Sequence, residues 1–299
     1  MVRARTERQR GAFLIGVAGA LVVIGLTVLA VQAMRHQQRT LNVSIAPAVS
    51  LARIDAALAA FVAQHRRLPC PARGTIAAGA LNAGRESINL TNGQCTPANQ
   101  SDGVVPWSTL GLTDTDALDP WGARISYRVQ PSLASNLLRL MNMSWCDPAG
   151  APNGATSSSM PCATPCSGSA CTHPLNYLYA KGLPVRDAAG AWLNQPAPPW
   201  PGAPTPPLPA ASGAAYVLIG HGANGAGAYN AAGALQPGTT PPGNNELSNR
   251  NGQGLTGAIV FIDASRIERA GTTYFDDTLS HPTLASVLAS AALGPRTPH

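Results

Sequence analysis

Six cysteines and six histidines are the residues of this 299-residue chain whose chemistry is worth testing first. Cys70, Cys95, Cys146, Cys162, Cys166 and Cys171 contain no Cys-x-x-Cys pair, and His173 alone does not complete a zinc set, so an even count reads as disulfides formed in an oxidising compartment. A bridge between Cys70 and Cys95, which flank one glycine- and asparagine-rich connection, is the expected pairing. Nucleophilic catalysis needs Ser or Cys with His and an orienting acid. There is no Gly-x-Ser-x-Gly elbow, and the histidines are scattered. His221 is the one in a notable setting, between an apolar run and the glycine-rich stretch His221-Gly222-Ala223-Asn224-Gly225-Ala226-Gly227. That stretch lacks the Gly-Lys-Ser/Thr ending of a phosphate-binding loop, so its glycines are read as left-handed turn positions. No zinc-protease motif and no catalytic carboxylate pairing stand out. The chain is expected not to be an enzyme.

The elements that would position these residues begin with a membrane span. Residues 12–34 form an uncharged, proline-free apolar run of 23 residues. Wound as a helix they reach about 35 Å, enough to cross a hydrocarbon core with some tilt. Arg3, Arg5, Arg8 and Arg10 precede the run, opposed only by Glu7, which places the short N-terminal tail in the cytoplasm. Of the formal charge of +6, residues 1–40 account for +5 and the remainder for +1. A nearly neutral exported part argues against a nucleic-acid surface.

Beyond the span, residues 35–67 read as a continuing helix, with Leu51, Ile54, Leu58, Phe61 and Val62 as one apolar stripe, Pro47 as an interruption, and Pro69 and Pro71 as the stop. Residues 123–129 (ARISYRV) alternate as a strand, with Ile125, Tyr127 and Val129 on one face. The preceding Asp119-Pro120-Trp121-Gly122 is a tight turn in which Trp121 would cap a core. A short helix is expected over 131–143 and a strand over 176–180. The eight prolines of 196–209 favour extended surface loop. Residues 214–220 (AAYVLIG) read as a buried strand and 257–263 (GAIVFID) as the last strand. A terminal helix from Ser280 would bury Leu284, Val287, Leu288 and Ala291.

The junction at Gly11, where a short basic leader meets Ala12-Phe13-Leu14-Ile15, resembles the processing site of type IV pilins and type II secretion pseudopilins. The Asp-Pro-Trp-Gly turn before a tyrosine-bearing strand and the Gly-Ala-Asn-Gly loop resemble head motifs of the major pseudopilins. The resemblance implies cleavage between Gly11 and Ala12 by a prepilin peptidase, with the new N-terminus methylated and the span retained. It implies an α+β fold, in which a long N-terminal transmembrane and spine helix packs on an antiparallel β-sheet head with disulfide-stapled loops. The expected divisions are a leader (1–11), a span (12–34), a spine continuation (35–68) and a head (69–299) enlarged by an insertion at 130–213.

As partners the resemblance implies other pilin-like subunits, met through the N-terminal helix with Phe13 and Gly16 as contact candidates, the prepilin peptidase and an inner-membrane assembly platform. The location would be the bacterial inner membrane, single-pass, with a periplasmic head. Most such sequences carry glutamate where this one has Gly16, which suits a minor or tip subunit. Major pseudopilins hold calcium near the glycine-rich loop. Here Asn224 replaces the expected aspartate, and 236–254 supply one carboxylate, Glu246, so no cofactor is expected. The adjacent Asp276 and Asp277 are weak calcium candidates, read as solvated. The competing reading is a single-span, membrane-anchored periplasmic binding module outside any filament.

Overall fold

The computed structural model describes residues 47–136, 141, 181–196, 213–255 and 259–293. The leader and span, most of the 130–213 insertion with Cys146, Cys162, Cys166 and Cys171, and the expected 176–180 strand lie outside those residues. Everything described belongs to one compact unit that starts at Pro47. It is a mixed fold of helix and mainly antiparallel sheet.

Helix α1 spans Pro47–His65. Pro47 occupies its first turn, where a missing N–H costs no internal hydrogen bond, so among the described residues it opens a helix and does not kink one. The helix stops at Arg66, whose φ of 58° ends the right-handed winding one residue before the closing run to Pro69. By length and composition α1 is apolar enough to cross a membrane. Its apolar stripe is instead buried: Ile54, Leu58 and Val62 are fully covered and Leu51 nearly so. Each contributes about 1.5–3 kcal/mol relative to exposure.

What covers them is a five-stranded antiparallel sheet in the order β1–β4–β6–β9–β12, formed by Ala72–Arg73 (β1), Gly103–Val104 (β4), Ser126–Val129 (β6), Tyr216–Gly220 (β9) and Thr278–Ser280 (β12). Tyr127 pairs with Leu218 and Val129 with Tyr216 at the sheet's centre. Because side chains alternate along a strand, Tyr127, Val129, Tyr216 and Leu218 enter the core shared with α1. Val217 and Ile219 enter a second cluster with Leu183, Val185 and Phe261 on the opposite face. Burial on both faces explains why β9 reads as an unbroken apolar run.

The second face is covered by a small sheet ordered β11–β7–β8, from Val185–Arg186 (β7), Trp192–Asn194 (β8) and Phe261–Ile262 (β11). β11 runs parallel to β7, the one departure from antiparallel pairing among the described strands. Two antiparallel pairs complete the set: the local Ile88–Asn89 (β2) with Gln94–Cys95 (β3), and the long-range Ala123–Arg124 (β5) with Tyr229–Asn230 (β10).

Three expectations are corrected. The helix at 131 runs only Pro131–Ala134 (α2) among the described residues. β11 is not the last strand, because β12 follows it at the edge of the main sheet. The terminal helix is Leu284–Ser290 (α3), capped by the Thr283 hydroxyl, so Ser280 ends a strand and Pro282 lies in the link. β12 escaped notice because two acids and a threonine precede its single leucine, which leaves no apolar alternation to see.

Two devices tie this architecture together. Asp55 on α1 accepts from the Tyr216 hydroxyl at 2.8 Å and the Ser280 hydroxyl at 2.7 Å, joining the helix to β9 and β12. Cys70 and Cys95 form a disulfide with a Cα–Cα distance of 5.3 Å across 25 residues. Beside it Glu86 takes both guanidinium nitrogens of Arg67 at 2.7 Å and the Cys70 amide at 3.0 Å. In the loop-entropy account a closure of this length is worth about 3 kcal/mol. Replacing both cysteines by alanine should therefore lower the urea midpoint by the equivalent of about 3 kcal/mol; an unchanged midpoint would show that packing alone holds the connection.

Candidate functional site

β9 delivers the chain into a loop that closes over buried acid. His221 at its start is fully buried, and Gly222, Gly225 and Gly227 take φ values of 61°, 63° and 79°, the left-handed turn that glycine permits. Asn224 is the hub of this loop. Its amide donates to Asp276 Oδ2 at 3.0 Å, and its side-chain oxygen accepts from the Ala226 amide at 2.8 Å. Its Nδ2 donates to Glu246 Oε1 and Oε2 at 3.0 and 3.2 Å. Glu246 opens the short 3₁₀ turn Glu246–Ser248, and Asp276 and Asp277 stand immediately before β12. One carboxylate oxygen from each of Glu246, Asp276 and Asp277 lies within 4.8 Å of the others. A fourth acid, Asp119, is also buried and interacts with the charges of Asp276 and Asp277.

The expectation of solvated Asp276 and Asp277 is therefore corrected: they are 1 % and 5 % exposed. β12 at the sheet edge turns them inward beneath the glycine loop. Burial is the leading cause of the shifts at Asp277, Glu246 and Asp119. It raises Asp277 well above the ordinary carboxylate range, with Glu246 adding to the effect. Glu246 is pushed up to about 8 by burial and then by its hydrogen bond to Asp276, and Asp119 to about 6 by burial. Among the described residues no lysine or arginine forms a salt bridge with any of the four. His221 does not supply the charge either, because burial and then Arg128 hold its imidazole down to about 3.

Ser126, His221 and Asp277 stand in the order of a nucleophile, a base and an orienting acid. Ser126 Oγ lies 2.7 Å from His221 Nε2, and His221 Nδ1 lies 3.7 Å from Asp277 Oδ1. The protons can be assigned. Asn251 Nδ2 donates to Ser126 Oγ at 2.6 Å, so the hydroxyl hydrogen goes to Nε2 and the imidazole carries its own proton on Nδ1. Arg128 donates to Asn251 Oδ1 at 2.8 Å and to the backbone carbonyls of Gln100 and Gly103. Ser126 and His221 are both 0 % exposed, so the hydroxyl is sealed between two partners with no face open to a substrate. The arrangement links β6 to the loop and is built as structure.

The chemistry the acid cluster does allow is binding of a hard cation. Asp119 Oδ2 and Asp277 Oδ1 are buried without a hydrogen-bond partner, which is costly for an ionised carboxyl group unless a proton or another electropositive group faces it. Oxygen donors of this kind suit calcium or magnesium and not the softer metals that thiolate or imidazole would select. The residues present fit such an ion.

Of the sequence-stretch expectations here, Gly222, Asn224 and Gly225 form the loop over the cluster, and Asp119 of the Asp-Pro-Trp-Gly turn reaches it from below. Asp119 Oδ1 accepts from the amides of Trp121 and Ala123 at 3.0 and 2.9 Å. Pro120 and Gly122 are exposed, and Trp121 is half-buried beneath the Arg266 guanidinium at 5.6 Å, so it caps no core; the aspartate is the buried member of the turn. Gly11, Ala12, Phe13, Gly16 and the four later cysteines lie outside the described residues. Sequence reasoning missed Ser126, Arg128, Asn249, Asn251 and Tyr274. The signal available was the polar alternation of Ser126 and Arg128 in a strand whose other face is apolar, which normally marks a solvent face and here marks a second buried layer. No family model matches the chain, and no curated protein or solved structure is found similar to it.

Proposed function

We propose that this chain is a structural subunit, a minor one, of a pilin-like filament of the type II secretion or type IV pilus kind. It is tethered by residues 12–34 and carries its head outside the membrane. The observation that supports the reading is the seating of α1. In sequence this helix follows the apolar run after a short link, and its buried stripe is the wall of the head's main core. A helix used in this way couples a tether to a head mechanically. The sealed Ser126–His221 contact favours a scaffold over a hydrolase. On this reading the partners are other pilin-like subunits, the prepilin peptidase and an inner-membrane assembly platform, and Gly16 leaves no carboxylate in the bilayer to attract a neighbour's N-terminal amine.

Mass spectrometry of the N-terminal peptide from native membranes tests the proposal. A chain beginning at N-methylated Ala12 is expected. An intact leader would overturn it in favour of a single-span anchored binding module, and a soluble chain beginning near residue 34 would exclude a filament altogether.

A further inference from the structure

We propose that Arg186, on the outer face of the small sheet, anchors a binding site for a carboxylate carried on an aliphatic group. The acid group lies against the guanidinium and the Ser248 hydroxyl, and the aliphatic part against Ile259, Val260 and Ile262. The proposal does not depend on whether the chain enters a filament.

Strand register builds the site. Arg186 of β7 is paired with Trp192 of β8 on one side and with Ile262 of β11 on the other. Side chains alternate along a strand, so Val185 and Phe261 turn into the second core while Arg186 and Ile262 turn away from it. The guanidinium carbon of Arg186 lies 3.7 Å from the centre of the Trp192 ring. A guanidinium over an indole is attracted to its π-face and keeps its in-plane N–H groups for a ligand. Those groups have no acid to meet. Among the described residues Arg186 forms no salt bridge, and its Nε is buried without a hydrogen-bond partner. The acids that follow β7 and β11 are engaged elsewhere: Asp187 accepts from the Ala191 amide at 2.8 Å, and Asp263 pairs with His281 Nε2 at 3.1 Å. With Nε covered, the terminal nitrogens are what remains for a ligand.

The space beside Arg186 has matching chemistry. A cavity of about 440 Å³ is lined, among the described residues, by Arg186, Ser248, Gln253, Ile259, Val260 and Ile262. That volume lies within the usual range for a small-molecule pocket. Three of these residues are aliphatic, one is a cation and none is an acid, so the cavity suits an anion with an apolar stem. Ser248 ends the 3₁₀ turn, and Asn249 fastens that turn to β11 by bonding the amide and the carbonyl of Ile262 at 3.0 and 2.9 Å. Gln253 ties the rim further by donating to the Leu247 carbonyl. The wall is therefore fixed before a ligand arrives. An arginine fork accepts carboxylate or phosphate equally well in geometry. The single cation decides between them, because a doubly charged phosphate would find only one compensating charge among aliphatic walls.

Two sources present this chemistry: the carboxy terminus of a peptide ending in a branched residue, and a free short-chain acid. The test uses the full-length chain in phosphatidylcholine nanodiscs, with empty discs as the blank. Isocaproate and acetyl-Leu-Leu are titrated by saturation-transfer NMR, and saturable binding of at least one is expected. Amidating the peptide carboxylate should weaken its binding by about tenfold or more. Acetate should bind about tenfold or more weakly than isocaproate, since it has no stem to bury. R186M should weaken binding by about tenfold or more with an unchanged melting midpoint. R186K keeps the charge but not the planar fork, and it should lose most of the affinity as well. Tighter binding of the peptide assigns the site to a chain terminus, and equal or tighter binding of isocaproate to a free acid. No saturable binding of either, an amide that binds as tightly as the acid, or R186M binding as wild type would overturn the site. Acetate binding as tightly as isocaproate would overturn its aliphatic class, and R186K binding as wild type would overturn recognition through the fork.

Discussion

Truncating Leu58 to alanine is expected to lower the stability of the head by about 2–5 kcal/mol, the range for removing a leucine from a core that cannot collapse around the gap. Leu58 is 0 % exposed at the middle of α1, between Ile54 and Val62, which are equally covered. Its neighbours are side chains of the sheet: Tyr127, Val129, Tyr216 and Leu218 belong to the same core. Those strands are pinned in register by the central β6–β9 pairing, so the sheet cannot move into the space without breaking its own ladder. Ala56, two residues away on the exposed face of the same helix, is the control, and A56S should change stability by less than about 0.5 kcal/mol. Urea denaturation of the two variants decides the matter. A Leu58→Ala variant as stable as the wild type would mean that α1 is not seated on the sheet, and the mechanical coupling of tether to head would fall with it.

That interface was the most legible part of the fold. The spacing of Leu51, Ile54, Leu58 and Val62 specifies a helix with one apolar face, and the alternation of 123–129 specifies which side chains of β6 meet it. Both are consequences of local periodicity, which a sequence displays directly. The acid cluster was only partly legible, for a physical reason. Its members come from Asp119, Asn224, Glu246 and the Asp276–Asp277 pair, brought together by strand order and not by spacing. Two adjacent aspartates look like solvated charge until it is known that an edge strand follows them and that a glycine loop lies on top. Asn224 was found because the glycines around it announce a turn, but its part in holding Glu246 depends on a contact 22 residues away. Ser126 and Arg128 were hidden by a sound rule. Polar residues alternating with apolar ones mark a wet sheet face when a sheet has one cover, and this sheet has two. The left-handed glycines were readable as turns; which of them also needed empty space was not.

Gly222 is where that last distinction becomes measurable, and Gly222→Ala is expected to be among the most damaging single-methyl changes in the head. Gly222 and Gly225 have nearly the same backbone, with φ of 61° and 63°, so alanine at either position incurs the same left-handed penalty of roughly 1–2 kcal/mol. Their surroundings differ completely. A Cβ at Gly225 meets nothing within 4 Å, whereas one at Gly222 would lie 2.5 Å from Asp276 Oδ1 and closer still to the Cγ and carbonyl oxygen of that residue. Relief requires Asp276 to withdraw. It is held by the Asn224 amide and the Tyr274 hydroxyl, and its backbone runs directly into β12, which is paired with β9 through Thr278, Leu279 and Ser280. The displacement therefore has to move an edge strand and two buried hydrogen bonds, each worth about 0.5–1.5 kcal/mol net and more when a charged acceptor is left bare. Gly225→Ala should lower stability by about 1–2 kcal/mol. Gly222→Ala should cost at least about twice that, because the methyl group overlaps Asp276 itself. Equal destabilisation by the two substitutions would show that Asp276 yields freely, and the loop would then be an ordinary turn with no part in shaping the cluster beneath it.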